Sequence, residues 1–269
     1  MTGYVSHLSY DLKAGVRDKS LMLMNYLFPI GFFLMIGMFM PRINPDFLNI
    51  MVPGMILFAI MSGTLMTIPF TLIGNREGGI FRSFRVNGVP ATALITIPII
   101  GTVIHMAIAS VILTVASSLL YGGVLPTRWF AFVGVFALTA LSFATIAVLI
   151  GIIANSARNG TLIAQAIYIP SVMLGGLMVP EQLLPENLQA AASILPATHA
   201  MRAFNSLALA GERLSAANGL PLIVLTASIA INVVLCFVLF QWDSRPIPAR
   251  RRLLALVTLV PFAVSIVAV

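Results

Sequence analysis

The sequence predicts an all-α, polytopic transmembrane helical bundle. Three observations lead there. Hydrophobic residues make up 59% of the 269 positions, mean hydropathy is +1.04, and charged residues are only 9%, against about a quarter in a soluble domain. The few charges leave long gaps between them, at 20–41, 47–75, 86–127, 129–157, 159–180, 214–242 and 253–269. Six of these gaps hold 22 residues or more and the last holds 17, where a membrane-crossing helix needs about 20 apolar residues. The gaps are continuously apolar rather than alternating, which excludes a barrel of short two-faced strands. Disorder is excluded by the hydrophobicity, and an internal disulfide framework by the lone Cys236.

The elements follow in chain order. Residues 3–20 read as an amphipathic helix: Val5, Leu8, Leu12 and Val16 recur at helical spacing while Lys13, Arg17 and Lys19 fall on other faces. Such a helix lies in the membrane interface among anionic headgroups, and a plain anchor explains it as well as any partner does. Spans are expected at 21–40, 51–74, 92–120, 130–154, 160–179, 220–241 and 253–269. The first apolar run ends in Met38, Phe39, Met40 and Pro41 with no small-x-small cleavage site, so it reads as a retained anchor. Nine of the 14 methionines lie between Met22 and Met66, adaptable filling for irregular surfaces. Pro29, Pro69, Pro98, Pro170 and the Ser62-Gly63 and Gly175-Gly176 pairs interrupt several spans, as is common where helices pack closely in lipid.

Basic residues set the orientation. With the seven spans alternating, Lys13, Arg17, Lys19, Arg76, Arg82, Arg85, Arg158, Arg245 and Arg250 to Arg252 fall on one side, eleven in all. Only Arg42, Arg128, Arg202 and Arg213 fall on the other. The first side is therefore cytoplasmic and the N-terminus lies inside; seven spans leave Val269 outside, and six leave it inside. The net charge of +7 is topological and needs no nucleic acid.

No Asp, Glu, Lys or Arg falls in the middle of a span, so an ion-coupled carrier lacks its usual intramembrane carboxylate. His105, Gln165 and Asn232 are the polar candidates left, and a hydrogen-bonded structural role suits His105 best.

Two segments break the apolar pattern. In the loop 75–90, Arg82 and Arg85 are three apart, as are Phe81 and Phe84, so a short helix presents a basic and an aromatic edge. Gly78-Gly79 and Gly88 bracket it, and Pro90 leads into the next span. On spacing alone, an ordinary basic loop obeying the orientation rule is the better reading. The second segment runs from Gly175 to Arg202 on the outer side and is too apolar for a free loop. Pro185 and Glu186 make a helix start, Leu184, Leu188, Ala191 and Leu195 share a face, and a second short helix is expected from about Thr198 to Ala210. Glu181 and His199 lack the second histidine that a metal site would need.

Taken together, Arg76-Glu77-Gly78 opening a proline-ended loop, the proline-bounded outer segment to Pro196 and the order of spans resemble the membrane permease subunit of type-2 ATP-binding-cassette exporters, over about residues 3–242. The resemblance implies a single permease domain over residues 1–269, with 3–20 as interfacial connecting helix. It implies a coupling helix at 76–86 seated in a cytoplasmic ATPase, with Arg76, Glu77, Gly78, Phe81, Arg82, Phe84 and Arg85 as its residues. It also implies an outer helical hairpin at 181–210 marked by Pro180, Glu181, Pro185, Glu186 and Pro196. Six spans belong to the family, and 253–269 is an additional C-terminal helix. Two permeases, identical or related, would pair in the inner membrane among its lipids. The chain binds no cofactor or metal of its own under this reading: it has no G-x-x-x-x-G-K-[ST] loop, and ATP and Mg would sit on the separate ATPase. Drugs, natural products, lipids or lipid-linked glycans are the expected cargo. The alternatives are an intramembrane lipid-modifying enzyme built on His105, or a non-transporting scaffold.

Overall fold

The structure, a computed structural model, describes Tyr4, Leu8, Lys13, residues 17–243 and residues 247–268. Most of the expected 3–20 helix therefore lies outside the described residues. Tyr4, Leu8, Lys13 and Arg17 are helical, the first two half-buried and the other two exposed, and Tyr4 Oη shares a 2.7 Å hydrogen bond with Thr96 Oγ1. No strand occurs among the described residues.

Helix α1 runs Lys19–Ile43 and opens on Asp18, whose carboxylate accepts from the Ser20 and Leu21 amides. Helices α2 (Phe47–Leu65) and α3 (Ile68–Glu77) form one 31-residue span jointed at Met66 and Thr67. Pro69 explains the joint, because it donates no N–H and its ring would strike the Leu65 carbonyl. A short helix α4 (Ile80–Val86) follows Gly79, which sits at φ 73°, and is left through Gly88 at the same angle. That left-handed geometry is open to glycine and costs other residues about 1–2 kcal/mol. Then come α5 (Ala91–Tyr121), α6 (Trp129–Ile153) and α7 (Ala157–Leu174). Two short helices, α8 (Glu186–Ala192) and α9 (Pro196–Ala203), precede a π turn at Phe204–Leu209. Helix α10 (Ala216–Leu239) starts from a reciprocal Ser215–Asn218 capping box. The chain closes with α11 (Ala249–Arg252), a 3-10 stretch Leu253–Leu259 and α12 (Val260–Ala268).

Among the described residues, five helical segments are long and apolar enough to cross a membrane: Lys19–Ile43, Phe47–Glu77, Ala91–Tyr121, Trp129–Ile153 and Asn218–Leu239. Seven were expected, and the remaining two differ for physical reasons. Around the expected span 160–179, helix α7 starts earlier and stops at Leu174, because Gly176 turns the chain at φ 82°. Its 18 residues include Arg158, Asn159 and Gln165, and they reach about 27 Å. The 253–269 segment begins as a 3-10 helix, which rises about 2.0 Å per residue instead of 1.5 Å. Leu253 to Ala268 thus extends about 28 Å, longer than the α-helix of about 25 Å that 17 residues would give.

The middle of the bundle is α2 and α6. Every residue from Met51 to Leu65 and from Ser142 to Ile152 is buried, as befits helices apolar all round. By contrast, α5 turns Ile104, Ile108, Val111, Val115 and Leu119 outward at helical spacing, an exposed apolar stripe. Lipid tails are as apolar as leucine, so close packing is what holds these helices together. Gly151 shows how close: a Cβ there would stand 2.9 Å from Leu72 Cδ1 and 3.2 Å from Pro69 Cα. Inside the bundle, Tyr26 Oη meets His105 Nδ1 at 2.7 Å.

Candidate functional site

The sequence-selected residues fall at opposite ends of the bundle. Arg76 to Arg85 lie where α3 ends, α4 turns and α5 begins. Pro180 to Pro196 lie where α7 ends and α10 starts.

At the first end Arg76 faces inward. Its Nη1 donates to Gly151 O at 3.3 Å and to Ile152 O at 2.8 Å, and its Nη2 donates to Ala154 O. These are terminal carbonyls of α6 with no further helical turn to bond. The guanidinium fork satisfies them and places positive charge at the negative end of the helix dipole. Arg76 thus fastens the base of α3 to α6. Glu77 and Gly78 beside it are exposed.

Helix α4 divides its faces differently from the simple basic and aromatic edges. Phe81 is buried at 4% exposure and Phe84 is half-buried against the core. Ile80, Arg82, Arg85 and Val86 face out, Val86 at 87%. The buried face, together with both exposed arginines, meets the residues that follow α10. Phe81 and Phe240 rings lie 5.9 Å apart, Arg85 stands 6.0 Å over the Trp242 ring, and Arg82 Nε donates to Asp243 Oδ1 at 3.3 Å. The ion pair is open to solvent, with side chains 73% and 47% exposed, so it contributes about 0–1 kcal/mol; the rings anchor the helix. Phe240, Trp242 and Asp243 were missed by sequence reasoning. The pairing spans 161 positions, and the one local signal was an aromatic and acidic cluster just past a span.

At the other end, Pro180 leads a 3-10 turn at Glu181–Leu183, Pro185 with Glu186 starts α8, and Pro196 is the first residue of α9. The expected second helix thus begins at Pro196, two residues before Thr198, because proline at the first helical position presets φ. Glu181 accepts from Arg202 Nε at 2.8 Å and from its Nη2, and Nη2 also donates to Ser193 Oγ at 2.8 Å. His199 is fully buried, with Nε2 2.9 Å from Ser193 O and 3.2 Å from Ser265 Oγ. Burial pushes its pKa down to about 4, the Ser193 hydrogen bond opposing. Thr258 Oγ1 donates to Asn232 Oδ1, so the C-terminal segment runs antiparallel to α10 and reaches α9. Among the described residues no group of three His, Cys, Asp or Glu is placed to hold a metal ion.

Residues 5–209 match the ABC-2 type transporter family. The chain belongs to that family. It is a multi-pass membrane component of a transporter, and membership implies a partner ATPase. The family match stops at the π turn, leaving α10 and the C-terminal segment beyond it. The permease is also similar to YvfS of Bacillus subtilis (strain 168), a provisionally named transport permease. The two are 22% identical over 193 residues, which cover 70% of this chain and 78% of that protein. No solved structure matches the permease with significance.

Proposed function

We propose that this permease carries a hydrophobic or amphiphilic molecule outward across the cytoplasmic membrane, powered by ATP hydrolysed on a separate subunit. The observation that carries the reading is α4. It is an exposed, basic, seven-residue helix, rigidly backed by Phe81 on Phe240 and by Arg76 on α6. A partner pushing on Ile80, Arg82 and Val86 would move α3, α5 and the end of α10 together. In this account 76–86 is the coupling helix, 3–20 the interfacial helix and 181–210 the outer hairpin. The Arg-rich end and the N-terminus are cytoplasmic, and two permease copies pair above two ATPases that hold ATP and Mg. Spans free of central charges support apolar or amphiphilic cargo over free ions.

The test is co-purification with the ATPase. Ile80→Asp with Arg82→Glu is expected to abolish recovery of the ATPase while the permease keeps its thermal stability. Full recovery of the ATPase with the double variant would refute the docking assignment.

A further inference from the structure

The C-terminal segment is a two-faced rod, and its winding decides the faces. A 3-10 helix has three residues per turn, so side chains three apart stand in straight rows, where an α-helix would wind them about its axis. In Leu253–Leu259 the row of Ala255 and Thr258 faces the bundle: Ala255 is buried, and Thr258 Oγ1 donates to Asn232 Oδ1 on α10. The other two rows face out. One is Leu253, Leu256 and Leu259, the other Leu254, Val257 and Val260, and each residue is 42–62% exposed.

Both outer rows start from an arginine. Arg250 and Arg251 lie in α11, three residues before Leu253 and Leu254, and both are exposed. Among the described residues neither side chain has a hydrogen bond or an ion pair. Their height fits a membrane surface. From Asn232 to Leu239, the last residue of α10, is about 10 Å of α-helix, and from Thr258 back to Arg252 is about 12 Å of 3-10 helix. The arginines thus stand level with the end of α10, just where Trp242 follows, and indole rings favour the headgroup region.

Orientation alone asks only for basic charge somewhere in the loop. Here two unpaired guanidinium groups head two exposed apolar rows, which complements one anionic head joined to two acyl tails. A soluble subunit could reach the arginines but not the rows. A second copy meeting this face about a two-fold axis along the membrane normal would set the same arginines against each other. We infer that this face holds an anionic phospholipid, its phosphate on Arg250 and Arg251 and its tails along the two rows. The site lies beyond the residues matched to the family and does not depend on where the ATPase docks.

The permease alone, in phosphatidylcholine nanodiscs, tests this. Val257→Cys places a bimane label in one row, and Leu254→Cys serves where the first variant fails to fold; the native Cys236 is buried at 1% exposure and stays unlabelled. Brominated lipid quenches a label that it touches. Brominated phosphatidylglycerol is expected to quench at a mole fraction about fivefold lower than brominated phosphatidylcholine, the equivalent of one arginine's attraction to an anionic surface. A label on Val115→Cys, in the exposed stripe of α5, should show no preference. Arg250→Gln with Arg251→Gln should bring the two lipids to equality at position 257. Salt near 1 M, where the screening length is about 3 Å, should do the same without any change at the arginines. Equal quenching by both lipids at position 257, or a preference untouched by the glutamine pair, overturns the inference. Quenching by neither lipid at position 257, with both quenching at 115, would show the rows covered by a second copy and overturns it too. So does a preference lost once the ATPase is added, which would give the arginines to that subunit.

Discussion

At the scale of single residues, two polar groups, one half-buried and one fully buried, carry the sharpest consequences. Arg76 satisfies three carbonyls at the end of α6, and Arg76→Ala leaves them bare. The expected cost is about 1–3 kcal/mol, read as a lower unfolding temperature in detergent. Arg76→Lys keeps the charge without the fork and should fall between. The second group is His199. Its folded-state pKa of about 4 lies below the unfolded value of about 6.5, so the unfolded chain binds the extra proton. Stability present at neutral pH is therefore lost as pH falls from about 6.5 towards 4. The groups around the ring are the Ser193 carbonyl, the Ser265 hydroxyl, Arg202 and Glu181. Thermal unfolding against pH should show a steeper acid decline in the wild type than in His199→Gln. Parallel curves would place the acid sensitivity elsewhere.

At the scale of elements, α4 is anchored by rings rather than by charges. Phe81→Ala, at a site 4% exposed, should cost about 3 kcal/mol, whereas Asp243→Asn should cost under about 1 kcal/mol; unfolding of the two purified variants compares them directly. Gly151→Leu forces α3 from α6 and should destabilise by more than about 1 kcal/mol. The spans themselves were legible because lipid tolerates so few charges that the gaps between them outline the helices. Their ends were less so. Helix α5 is an exception: the charge-free gap 86–127 overruns it at both ends, yet the span expected at 92–120 falls within one residue of Ala91 and Tyr121. Gly175-Gly176 was read as a close-packing pair, and it both ends α7 and lets α9 approach, since a Cβ on Gly175 would stand 2.7 Å from Ala197 Cβ. The 3-10 winding of Leu253–Leu259 has no signature in composition. The α4 clasp on Phe240, Trp242 and Asp243 was not legible either, since local periodicity holds no information about a partner so distant in sequence.

At the scale of the whole molecule, the permease has a basic end that carries α4 and an opposite end that carries α8 and α9, with α2 and α6 as the packed axis between. The C-terminal segment ties these levels together by following α10 from the arginine cluster at Arg250 to Arg252 up to His199. A reporter enzyme active only outside the cytoplasm, fused after Val269, is expected to be active, and an inactive fusion would bring that end back inside. The central claim is that force enters through α4 from a separate ATPase. Proteoliposomes containing the permease and its ATPase, loaded with a fluorescent amphiphile, measure it most directly. ATP-dependent movement is expected with the wild-type permease and its loss with Ile80→Asp and Arg82→Glu combined. Transport by the permease without any ATPase, or undiminished transport by that double variant, would contradict the account.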